Sequence, residues 1–256
     1  MAVARRPFRV LFASGGVLVA SLALVGCGST DVEGAPVERK TFAFGGTALT
    51  VDSDNSELVI TPADIDDVRV ERQVDGWVFM GSGPKPEWKL VDGKLTLRVN
   101  CDGVSSNCDA VHRIQVPRDV AVSVENDNGR VTAEGFATPM KVRSDNGDVV
   151  LRKAGGALDI GTDNGAVAVE DGATSPEVVA RSDNGAVHIA LGSVPRRVDV
   201  VTDNGDVQVS LPTAAYKVTG ASGNGEVRID VPRRDESKHS VNVRSDNGDV
   251  SVLTAN

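Results

Sequence analysis

One short sequence keeps coming back along this chain, and it limits the available folds more than any other property. Asp-Asn-Gly stands at Asp127–Gly129, Asp145–Gly147, Asp163–Gly165, Asp183–Gly185, Asp203–Gly205 and Asp246–Gly248. Gly223-Asn224-Gly225 fills the one missing beat, and Asp54-Asn55-Ser56 is an outlying copy. From Asn128 the asparagines step by 18, 18, 20, 20, 20 and 23 residues. Such a period means supersecondary units that stack and bury a shared core.

The flanks of each turn alternate. Val142 and Ser144 precede one turn and Val149 and Leu151 follow it; Ile160, Thr162, Val167 and Val169 repeat the pattern, as do Val200, Thr202, Val207 and Val209. Alternation with period two means strands, and no stretch beyond the N-terminal apolar run sustains a helical period. The expected fold class is all-β.

Two architectures fit. Asn-Gly is the strongest short-range signal for a two-residue antiparallel hairpin, so an array of antiparallel hairpins is the alternative fold. It would set Asp145 opposite Asp148 and Asp203 opposite Asp206, like charges facing across strands. A β-solenoid of short strands, with about 18–20 residues per rung, accounts for more. Its corners are Asn128 and Gly129, Asn146 and Gly147, Asn164 and Gly165, Asn184 and Gly185, Asn204 and Gly205, Asn224 and Gly225, and Asn247 and Gly248. Stacked rungs let each Asn amide bond to its copies above and below. Gly supplies a positive φ at the corner. The residue before the Asp, a small hydroxyl in most repeats, sits in the wall.

Before the repeats, Met1 to Arg9 is basic and Val10 to Val25 is an apolar run, the pattern of an export signal. Residues 1–26 are therefore expected as a signal peptide and residues 27–40 as a flexible, polar tether. The β-repeat domain is expected over 41–256, with an irregular part at 41–117 and regular repeats at 118–256. The irregular part would cap one end of the stack, because a bare edge invites pairing with another chain. At the other end, the last strand around Val250–Leu253 is covered by loops or is a place where another molecule pairs.

Removing Arg5, Arg6 and Arg9, the only charged residues before Cys27, takes the net charge from −9 to −12. So acidic a chain is repelled by nucleic acid and by anionic lipid headgroups. An exported chain meets an oxidising compartment, where Cys101 and Cys108, bracketing a short loop, pair as a disulfide.

The end of the apolar run, Leu24-Val25-Gly26-Cys27, resembles the lipobox of bacterial lipoproteins. That resemblance implies a diacylglycerol on the Cys27 thiol, cleavage just before it, and a chain held on the extracytoplasmic face of the bacterial cell membrane. The Ser/Thr-Asp-Asn-Gly-x-Val-x-Val units from Ser144 to Val252, entered through Ile114-Gln115-Val116-Pro117, resemble the bacterial β-strand-repeat family of putative adhesins. The family is a domain of unknown function common on envelope lipoproteins. It implies a fold but carries no catalytic motif over to these residues.

Chemistry-bearing residues are sparse. Repeat-toxin calcium sites use a nine-residue period, about half the one here, and the recurring Asp residues read as solvated turn positions. His112, His188 and His239 are scattered, and Glu87, Asp102 and Asp109 fall outside the repeat in stretches that read as loops, with no catalytic motif around them in the sequence. No catalytic residue, metal site or cofactor is assigned. Trp77, Phe79 and Trp88, around the Gly81–Pro86 loop, form the one aromatic cluster, a candidate partner patch or an end cap. The expected function is a non-enzymatic surface lipoprotein whose rigid scaffold binds or adheres to envelope or extracellular molecules, a protein or a glycan. The alternatives are an envelope-stress accessory protein with a membrane partner and a glycan-active β-helix enzyme.

Overall fold

A computed structural model describes residues 32–255. The expected signal peptide, Cys27 and the first residues of the expected tether lie outside the described residues. A 3₁₀ turn at Val32–Gly34 leads into β1 (Glu38–Phe42). The first corner joins β2 (Ala48–Asn55) to β3 (Glu57–Ala63), and two long strands follow, β4 (Val68–Val91) and β5 (Lys94–Pro117). Then come β6 (Ala121–Asn128), β7 (Val131–Glu134), β8 (Met140–Asn146) and β9 (Val149–Arg152). The middle rungs are β10 (Leu158–Asn164) with β11 (Val167–Ala173), and β12 (Glu177–Asn184) with β13 (Val187–Leu191). The last six strands are β14 (Arg197–Asn204), β15 (Val207–Leu211), β16 (Lys217–Asn224), β17 (Val227–Asp230), β18 (Ser240–Asn247) and β19 (Val250–Thr254).

The two strands that flank an Asn-Gly corner do not pair with each other. Each pairs in parallel with its counterpart one repeat away: β8 with β6 and β10, and β9 with β7 and β11. The hairpin array is thereby excluded, and the fold is a β-solenoid. Register is kept at every corner, so that Asn55, Asn128, Asn146, Asn164, Asn184, Asn204 and Asn247 are successive partners.

Stacking in register puts like residues in columns. Val51, Val124, Val142, Ile160, Ala180, Val200 and Val243 form one inward column, all buried. β-Branched side chains suit this pleated, half-buried surface, and each fully buried one contributes about 1.5–3 kcal/mol.

The small hydroxyls expected in the wall face its inner side and are buried. Thr162, Ser182, Thr202 and Ser245 donate to the carbonyl oxygens of Gly147, Gly165, Gly185 and Gly205 at 2.8–3.2 Å. A corner carbonyl turned inward would otherwise be buried without a partner. The glycines serve in two ways. Gly129, Gly205 and Gly248 have the positive φ expected of the corner, 111°, 157° and 156°, but Gly147, Gly165 and Gly185 do not. They are glycines because a Cβ on each would collide with the carbonyl of the glycine in the rung before it. Ser56 can carry a side chain at this position because β5, its neighbour on that side, makes no pairing with β2 or β3 between Leu97 and Val111.

The stack does not follow chain order to its end. β18 lies between β14 and β16, and β19 lies between β15 and β17. The chain thus skips a level after β15, builds the outermost rung with β16 and β17, and returns to fill the gap. The C-terminal strand expected at an edge is internal. The outermost rung departs from the repeat to suit its place. Gly220 takes a core position, where Ile229 Cδ1 and Val227 Cγ1 would stand 3.2 Å from an added Cβ. The rung narrows there, and Val218 and Ile229 pack against the core.

The opposite end is capped by an antiparallel ribbon. β4 pairs with β5 along nearly its whole length, and β1 pairs with β4. The part expected as irregular therefore holds a complete rung, β2 with β3, plus this cap. Order also begins before residue 41. Gln73 Nε2 donates to the carbonyls of Glu33 and Ala35 at 2.7 and 3.0 Å, and Arg72 bonds Glu38 at 2.7 Å. These contacts hold residues assigned to the tether against the cap.

Candidate interaction site

Seven hydrogen bonds join eight asparagines into one ladder along the corner. Each Nδ2 donates to the Oδ1 of the next rung toward the cap, from Asn224 through Asn247, Asn204, Asn184, Asn164, Asn146 and Asn128 to Asn55, at 2.8–3.1 Å. The second Asp found in some corners is explained in the same way. Asp148, Asp206 and Asp249 accept from the backbone N–H of Ala166, Asp249 and Glu226 in adjoining rungs at 2.8–3.0 Å. Among the described residues no three His, Cys, Asp or Glu side chains converge on a metal-binding position.

What departs from the ladder is gathered at the capped end. β5 is in register with β2 up to Leu97 and with β3 from Val111. Residues 98–110 therefore occupy the place where a rung needs only Asp54–Ser56, and they bulge from the corner. β4 follows β5 through this excursion, with Trp77 opposite Asn107, Phe79 opposite Ser105 and Gly81 opposite Gly103. The Cys101–Cys108 disulfide ties the outgoing leg of β5 to the returning one, with Cα atoms 6.5 Å apart. Trp77, Phe79, Met80 and Val104 are 44, 59, 73 and 77% exposed, the last three at the apex. Between excursion and corner lies a cleft of 750 Å³, lined by Asp54, Asn55, Glu57, Asp102, Asp109 and Arg130, with Val32 at its rim.

Trp88 does not belong with this patch. It stacks on the Arg72 guanidinium at 3.9 Å and meets Phe42 edge-on at 6.2 Å, so it serves the cap. The aromatic cluster of the sequence thus divides into an exposed pair, Trp77 and Phe79, and a packed Trp88. Met80 and Val104 complete the exposed patch. Nothing in the sequence marked them, because lone apolar residues in a Gly-rich stretch read equally well as core.

His112 is fully buried, between Leu58 and Arg72 in the strand register, and neither ring nitrogen has a hydrogen-bond partner. Burial, and then the Arg72 charge, lower its pKa from 6.5 to about 4, so the ring is neutral. His188 faces outward on β13, and His239 Nδ1 lies 2.8 Å from the Pro195 carbonyl oxygen. Asp52 is flanked by two cations, Lys94 and Arg98, both at 2.6 Å. Burial alone would raise its pKa, but the two bases outweigh it and hold the carboxyl below its usual range. That is the signature of a satisfied ion pair, not of a proton donor.

No curated protein matches the chain. A putative adhesin of solved structure from Bacteroides fragilis is 12% identical, with 86% of this chain and 97% of that one covered and a TM-score of 0.54. A putative adhesin from Parabacteroides distasonis is 13% identical over 87% of this chain and 98% of that one, with a TM-score of 0.45. The first of these likenesses extends to the fold. The family described as Toastrack DUF4097 matches residues 39–255, nearly the whole of the stack and its cap, and the chain belongs to it.

Proposed function

We propose that the protein is a lipoprotein, held by acyl chains on Cys27 at the extracytoplasmic face of a bacterial cell membrane. Its solenoid is a rigid, non-enzymatic scaffold for binding or adhesion to envelope or extracellular molecules. The observation that carries this reading is the unbroken stack from the rung of Asn55 to that of Asn224, in which the recurring residues are committed to structure. Inward positions are aliphatic or small and polar, four of the hydroxyls bonding corner carbonyls, and corner amides bond one another. The surface left for recognition is what departs from the repeat. Two acyl chains, at about 0.8 kcal/mol per buried methylene, suffice for a stable hold on the bilayer. The test is cellular fractionation: the native chain is expected in the membrane fraction and Cys27→Ala in the medium. A Cys27→Ala chain that stays acylated and membrane-bound would contradict the anchor. Capture of wall polymer or of an extracellular surface molecule by the intact protein would support the adhesion role. The exposed apolar apex favours a second reading, an accessory protein with a partner in the membrane, which one defined membrane-protein partner in the same capture would support.

A further inference from the structure

We propose that the apex of the excursion, Phe79, Met80 and Val104 with Trp77 beside them, is a bilayer contact. It inserts into the lipid that holds Cys27. This rests on the lipid-anchor reading of Cys27 and adds a second point of attachment to it.

Three observations carry the inference. The first is the tether. From Cys27 to Val32 the chain spans at most about 18 Å fully extended. Val32 lines the cleft beneath the excursion together with Cys101, Asp102 and Cys108. Asp102 adjoins the apex in sequence, so a chain acylated at Cys27 holds the excursion next to the membrane. The second is composition. Exposed apolar side chains crowd the apex: Trp77, Phe79, Met80 and Val104 are all turned to solvent, and Met80 stands on a left-handed backbone (φ 50°) outside the ladder register. Trp is also a residue suited to the membrane–water boundary. The third is construction. β4 pairs with β5 up to Gly81 opposite Gly103, so the backbone groups of the excursion are largely bonded within it, as an apolar medium demands. The disulfide braces the legs below. The attraction is apolar and not electrostatic. Asp75, Asp102 and Asp109 outnumber Lys85 in this region, so contact is expected to be insensitive to salt.

The two tryptophans allow a direct test on the full-length, acylated protein in phosphatidylcholine vesicles. Vesicle flotation reads anchoring, and emission of the native chain minus that of Trp77→Phe isolates Trp77 without disturbing Trp88 in the cap. The expected result is a blue-shifted Trp77 signal that loses roughly twofold in intensity when the lipid carries brominated acyl chains. Phe79→Asp with Val104→Asp is expected to abolish the quenching while flotation persists. A protein that floats while Trp77 stays water-exposed and unquenched overturns this inference alone and leaves the apex to a protein partner. A protein that does not float overturns the anchor, and this inference with it.

Discussion

At the scale of single residues, the corner glycine and the buried histidine show how closely side-chain choice is tied to the stack. Gly185 lies against Gly165, whose carbonyl oxygen occupies the space a Cβ would need. Two backbones in mid-stack must move apart to admit it. Gly185→Ala is expected to cost at least about 2 kcal/mol in chemical denaturation, whereas Gly45→Ala, with nothing within 4 Å of the added carbon, is expected to be near neutral. His112 gives the molecule a pH dependence of known sign. An unfolded chain protonates this ring near 6.5, while the folded chain resists until about 4. The unfolded state therefore binds more protons in that window, and stability falls as pH drops through it. The loss is on the order of 3 kcal/mol between neutral pH and pH 4. Denaturation midpoints across the range check this, and His112→Leu is expected to flatten the dependence.

At the scale of elements, the regular rungs were legible because their constraints are local and repeated. Alternation gave strands such as Met140–Asn146 and Val149–Arg152, and the asparagines gave the corners. The choice of solenoid over hairpins rested on the small polar residue before each Asp, the persistent Asn and the charges a hairpin would set face to face, and the register of the parallel ladders agrees with it. What the repeat could not give was which rung touches which, since every rung offers its neighbours the same residues. The clues were the irregularities: Gly223 for Asp, Gly220 at a core position, and the step of 23 residues before Asn247, which lengthens the return loop. The split of Trp77 from Trp88 was hidden for another reason. Both lie on β4, and only pairing with β5 and packing on Arg72 and Phe42 tells them apart. Amide exchange should show the stacking order as a reversal of the usual fraying. Val241, Val243, Val250 and Val252, inside the stack though close to the C-terminus, are expected to outlast Val218 and Thr219 of the outermost rung. Equal or faster exchange in β18 and β19 would count against it.

At the scale of the whole molecule, the rearranged order decides which surfaces the solenoid offers. One end is closed by the β4–β5 ribbon and carries the excursion, close to the proposed anchor. The other ends in β16 and β17, each of which pairs on one side only among the described residues. Were the rungs stacked in chain order, the acidic corner of β18 and β19 would be outermost instead, and the narrowing at Gly220 would fall inside the core, where it would leave a void. Everything said about which end is sealed and which surface is left for recognition depends on that order. Cross-linking tests it directly. Val201 and Arg244 are register partners on β14 and β18, while Val201 and Ala221 would be partners only if β16 lay next to β14. Neighbouring strands stand about 4.8 Å apart, within reach of a disulfide. With oxidation read by mass spectrometry of the digested protein, Val201→Cys with Arg244→Cys is expected to cross-link within one chain, and Val201→Cys with Ala221→Cys is not. A cross-link in the second pair and none in the first would contradict the structure's order and with it this account of the molecule's two ends.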